Sequence, residues 1–140
     1  MRRINRLIPL MLVLAIGAVT APAAWAGSPH FVGAVTATRT DNSLTVSGKE
    51  AGLGNEEQIN IVVTATAQCI NKGEKHPKAE NKESVSSEGT FPVQNGKANF
   101  SLTVTATFKP SCSPPMTLAF TDVTVTDTTN NISANVTGTF

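Results

Sequence analysis

The chain has no tyrosine, and its single tryptophan, Trp25, stands among the first 26 residues, so everything that follows carries phenylalanine as its only aromatic. The large rigid rings on which sugars usually stack are missing, which counts against carbohydrate binding. Histidine is nearly as scarce, with only His30 and His76. A Ser-His-Asp type of catalytic set would have to be built on one of those two, and no Gly-x-Ser-x-Gly elbow accompanies them. No Lys/Arg cluster is present to form the electrostatic footprint of a nucleic-acid binder. No 3.6-residue apolar period runs through the chain, which excludes an amphipathic helical architecture. There is one long hydrophobic run and no second one to anchor the chain in a membrane.

That one run identifies its segment. Arg2, Arg3 and Arg6 precede the apolar stretch Leu7 to Val19, and Ala24-Trp25-Ala26 supplies a small-x-small cleavage site. The stretch is 13 residues and contains Pro9, whereas a membrane-spanning helix needs roughly 20. Residues 1–26 therefore read as a secretory signal peptide and 27–140 as one exported domain, secreted to the extracellular space without membrane insertion. Cleavage removes three of the 11 Lys+Arg residues, leaving eight positive against ten negative charges, a net −2. Loss of Trp25 leaves a product without indole fluorescence.

Alternation of apolar and polar residues marks strands with one buried face. Ile59, Ile61, Val63, Ala65, Ala67 and Cys69 form one such face, and Ala98, Phe100, Leu102, Val104, Ala106 and Phe108 a second. Ile132, Ala134, Val136, Gly138 and Phe140 form a third. Phe31 to Thr40 and Ser43 to Gly48 read as two strands joined at Asp41-Asn42, with Lys49 to Asn55 as a loop. Asn95-Gly96 is a type I′ hairpin signal. The inward parity slips between Met116-x-Leu118-x-Phe120 and Val123-x-Val125, predicting a bulge near Thr121-Asp122. Ile70 to Gly89 holds eight of the 18 charges that remain after cleavage and reads as a long surface loop with a short edge strand near Val85. The sum is an all-β chain, an immunoglobulin-like antiparallel β-sandwich of about seven strands.

Cys69 and Cys112 both survive cleavage, and an even cysteine count in an exported domain predicts a disulfide. With both thiols oxidised, neither serves as a nucleophile. His30 follows Pro29, which has no N–H, so an amino-terminal copper site is a poor match. No cofactor or metal is expected. The Thr-x-Thr rows Thr103-Thr105-Thr107 and Thr64-Thr66 read as wet strand faces. Asn99-Phe100-Ser101, Asn131-Ile132-Ser133 and Asn135-Val136-Thr137 are formal glycosylation sequons.

Ser28-Pro29-His30-Phe31, Lys49 to Gly54, Cys69-Ile70-Asn71 with Gly73, Pro77-Lys78-Ala79, Asn81-Lys82, Thr121 to Thr128 and Gly138-Thr139-Phe140 together resemble a family of small secreted actinobacterial proteins. That resemblance implies an exported sandwich and carries no mechanism. Val46 to Leu53, Gln68-Cys69, Asn95-Gly96 and Ser101 to Val104 are more faintly similar to the apoproteins of enediyne chromoprotein antibiotics, which implies a cleft for a hydrophobic ligand. This chain departs from that pattern in having one cysteine pair rather than two.

The expectation is a non-enzymatic surface-interaction module contacting a protein or cell-envelope component. Its contact regions would be Ile70 to Gly89, with Lys75, His76 and Lys78 as candidate binding residues, and Lys49 to Asn55. An extracellular carrier of a small hydrophobic ligand is the alternative, and a hydrolase ranks last.

Overall fold

Hydrophobic alternation dictates the first element to form a wall: in the strand Gln58–Ile70, every odd residue from Ile59 to Cys69 is buried. A computed structural model describes residues 27–71 and 81–140. The segment read as a signal peptide, 1–26, lies outside the described residues, as do Lys75, His76 and Lys78.

The strands are β1 His30–Phe31, β2 Thr36–Thr40, β3 Ser43–Ala51, β4 Gln58–Ile70, β5 Lys82–Pro92, β6 Ala98–Thr105, β7 Thr117–Asp127 and β8 Ile132–Val136. All pairings are antiparallel. The first sheet centres on β3, with β6 along one edge and β1 and β2 sharing the other. The second has the order β5-β4-β7-β8. Between them lies a core led by Phe120, Leu44, Leu53, Ile59 and Ile61, all fully buried. Phe31 and Phe91 each meet Phe100 edge to face, at 6.0 and 6.3 Å. The chain is thus an all-β, two-sheet antiparallel sandwich.

Its strand count exceeds the expected seven because the segment Phe31 to Thr40 is broken. Gly33 adopts φ 68°, a left-handed conformation that lies in the break between β1 and β2, which run in the same direction along one edge of β3. β5 pairs with β4 in the second sheet, whereas the strand that follows the corresponding one in a constant-type immunoglobulin domain lies in the opposite sheet. The 106–116 segment leads from β6 to β7 and is fixed by the Cys69–Cys112 disulfide, whose Cα atoms are 5.7 Å apart.

Two loop expectations are corrected. Lys82 to Gly89 is not loop: β5 pairs with β4 continuously from Gln58↔Pro92 to Gln68↔Lys82. Its polar composition suits an edge strand, which needs few inward apolar residues, here Val85 and Phe91. Charges and a terminal proline on such an edge also discourage further pairing. The segment Lys49 to Ala51 likewise belongs to β3, paired with β1 and β6.

The turns follow their chemistry. Asn95 and Gly96 take φ 53° and 73°, as a type I′ turn requires. Across β4 and β7 the register passes from Thr64↔Thr124 to Thr66↔Thr121, so Asp122 and Val123 together oppose Ala65. Asp122 has φ 51°. This bulge lets Leu118 and Phe120 on one parity, and Val123 and Val125 on the other, all face inward.

Candidate functional site

Pleat alternation that sends Leu44 and Val46 of β3 and Val104 of β6 into the core must send their neighbours outward. Those neighbours are hydroxyls on all three long strands of the first sheet. Register aligns them in three rows: Thr36↔Ser47↔Ser101, Thr38↔Thr45↔Thr103 and Thr40↔Ser43↔Thr105. Strands lie about 4.8 Å apart, and same-face residues about 6.7 Å apart along each strand, so nine hydroxyls cover a grid of roughly 10 by 13 Å.

The grid is partly self-bonded. Ser47 Oγ lies 2.9 Å from Ser101 Oγ, Thr45 Oγ1 lies 2.8 Å from Thr103 Oγ1, and Ser43 Oγ lies 2.9 Å from Thr105 Oγ1. In each pair one hydroxyl donates and the other accepts. The acceptor's own hydrogen and lone pairs on both oxygens stay available. The face therefore presents hydroxyls at fixed positions, each able to donate or accept, with no charged side chain inside the grid.

The outer face of the second sheet is similar in kind but interrupted. Thr126 pairs with Ser133 at 2.9 Å, and Thr124 donates to Asn135 at 3.0 Å. Glu88 stands beside Val62, and Lys82 beside Gln68. Asp122 rises at the bulge. Thr64 and Thr66 belong to this face, whereas Thr107 lies beyond β6, where its N–H and hydroxyl both donate to the Glu83 carboxylate at 3.2 Å.

Sequence reasoning missed a second constellation, inside the sandwich. Glu50 and Asp127 are both fully buried. Asp127 accepts from the N–H groups of Thr129 and Asn130, at 2.8 and 3.2 Å, and from Asn130 Nδ2 at 2.7 Å. Asn130 Nδ2 also donates to Glu56 at 3.0 Å. Neither oxygen of Glu50 has any donor facing it. Burial above all, then Asp127 as hydrogen-bond partner and as charge, then the charge of Glu56, raise the Glu50 pKa from 4.5 to about 8. Glu50 thus holds a proton at neutral pH, and that proton is what it can offer Asp127. Parity was the available signal, since Leu44, Val46, Gly48 and Glu50 lie on one face of β3, as do Val123, Val125 and Asp127 of β7. Sealed from solvent, the pair joins the two sheets rather than meeting a ligand.

The expected contact region Lys49 to Asn55 is accordingly a packed corner. Leu53 is fully buried, and its N–H donates to the Gly96 carbonyl at 3.0 Å. The larger depressions lie on sheet faces and edges; one of about 400 Å³ opens between β7 and β8 around Thr124 and Asn135. Among the described residues, no group of three or more His, Cys, Asp or Glu side chains could hold a metal ion, and no helix is long and apolar enough to cross a membrane. Comparison with protein-family models, with curated proteins and with solved structures yields no match for this chain.

Proposed function

We propose that the chain is exported, released from residues 1–26, and acts without catalysis as a binding module that meets a cell-envelope component through the outer face of its first sheet. The aligned nine-hydroxyl grid carries this reading. A rigid sheet fixes its groups in a set geometry, so binding costs little side-chain ordering. Short Ser and Thr side chains have few rotamers to lose. The arginine-led apolar leader and the disulfide both suit export to an oxidising compartment.

The test is production of the full chain in a secreting host, followed by co-sedimentation of the secreted product with envelope fragments. The expected product begins at Gly27, and a Thr38→Val/Thr45→Val/Thr103→Val variant should sediment less. Retention of residues 1–26 would overturn export. Equal sedimentation of the two proteins would overturn the face.

A further inference from the structure

The hydroxyl grid also restricts the chemistry of what it can bind. We infer that the partner of this face, resting on the reading just given, is a neutral, hydroxyl-dense polysaccharide presented as an insoluble or densely repeated surface.

Three features of the grid converge on that class. Protein interfaces draw most of their affinity from desolvated aromatic, aliphatic or arginine anchors at their centre. The centre of this face is Thr45, flanked by Thr38 and Thr103. Phosphate-rich polymers and anionic lipids need basic groups, and the grid holds none; Lys49 stands one row beyond it, beside Asn99. A neutral glycan needs neither anchor nor charge. Its hydroxyls both donate and accept, as do the free positions left on each Ser/Thr pair, so every group on both sides can be satisfied when water leaves. The lack of tyrosine, and of tryptophan beyond Trp25, removes ring stacking from this face and leaves hydrogen bonding intact.

The same chemistry explains why the surface must repeat. Each hydroxyl contact exchanges one hydrogen bond to water for another and contributes little by itself. Useful retention comes from many contacts engaged together, which a single short sugar cannot provide but a polymer face can. Because no ion pair forms, raising the salt concentration should leave binding unchanged.

The experiment compares the disulfide-bonded full-chain product from a secreting host with two variants on insoluble cellulose, xylan, chitin and whole cell walls. Thr38→Val/Thr45→Val/Thr103→Val removes the central row while keeping side-chain shape and strand propensity. Thr124→Val/Thr126→Val makes the equivalent change on the opposite sheet. The expected result is retention on at least one neutral glycan, insensitive to salt, about tenfold weaker for the first variant and unchanged for the second. Retention on no glycan, or equal loss in both variants, would overturn the inference. Cell walls stripped of their glycans by glycoside hydrolases supply a separate arm. Binding that survives glycan removal yet still needs the central row would overturn the glycan assignment while leaving the hydroxyl face as the binding surface. Inhibition of ice recrystallisation by the unaltered protein, lost in the first variant and without glycan retention, would do the same.

Discussion

Glu50 of β3 and Asp127 of β7 meet across the sandwich interior, two carboxyl groups from opposite sheets, and only a proton on Glu50 makes the meeting favourable. Asp127 is satisfied from its own turn by Thr129 and Asn130. Glu50 has no comparable supply. Charging it would place a second negative charge in a dry site, which is the costliest arrangement available there.

A pH dependence follows, with a definite sign. Glu50 holds its proton up to about pH 8 in the folded chain, against 4.5 ordinarily. Between those values the folded state binds more protons than the unfolded one, so this group's contribution to stability falls as pH rises through the window and levels off above it. Glu50→Gln supplies a permanent amide donor to Asp127. Urea unfolding from pH 5 to 9 should show the parent losing a few kcal/mol relative to Glu50→Gln across that window. Parallel profiles for the two proteins would refute the proton-mediated contact.

The Cys69–Cys112 bond closes a 43-residue separation and ties the end of β4 to the irregular 106–116 segment. Loop-closure entropy predicts about 4 kcal/mol from such a crosslink. Cys69→Ser should lower Tm by on the order of 15 °C in a domain of this size. Reduction of the unaltered protein should give a similar loss, with a mass gain of two hydrogen atoms marking the opened bond. Calorimetry showing an unchanged Tm in the variant would remove the staple from the account.

The Gly52 corner offers a backbone test. Gly52 has φ 76°, and a Cβ there would fall 2.2 Å from the Ser28 carbonyl oxygen. Both the left-handed conformation and the main-chain contact oppose any side chain. Gly52→Ala should cost about 2 kcal/mol or more, whereas Gly33→Ala, with φ 68° but open space around its Cβ, should cost about 1 kcal/mol. Chemical denaturation of both variants measures the difference.

What could be read from the sequence follows from how local each signal is. The alternation of β4 and β6, the Asn95-Gly96 turn and the parity slip before Val123 are written in contiguous residues, and the structure has all of them. The cysteine pairing needed only a count of two. The edge strand β5 was obscured because the edge itself favours Lys82, Glu83 and Glu88 over apolar residues. The hydroxyl grid was invisible for a different reason: Thr38, Thr45 and Thr103 share a row only through the β2-β3-β6 register, and no one strand encodes that. Glu50 sat on the correct parity, but the glycines at 52 and 54 favoured a loop there.

Asn130 provides the sharpest test of the buried acids as one unit. Its side-chain amide bridges Asp127 and Glu56, at 2.7 and 3.0 Å, so it neutralises part of the field that holds the proton on Glu50. Asn130→Ala withdraws that donor and strengthens the demand for a proton between Glu50 and Asp127. The variant should lose about 1 to 3 kcal/mol at pH 7, and the alkaline end of its stability window should move upward. In the Glu50→Gln background the penalty should shrink, because the glutamine amide then serves Asp127 in place of the missing asparagine. A double-mutant cycle measures this directly, and a coupling of about 0.5 kcal/mol or more is expected for groups within one network. Strict additivity would mean that Asn130 acts only on its own turn, with Glu50 and Asp127 behaving as independent buried groups.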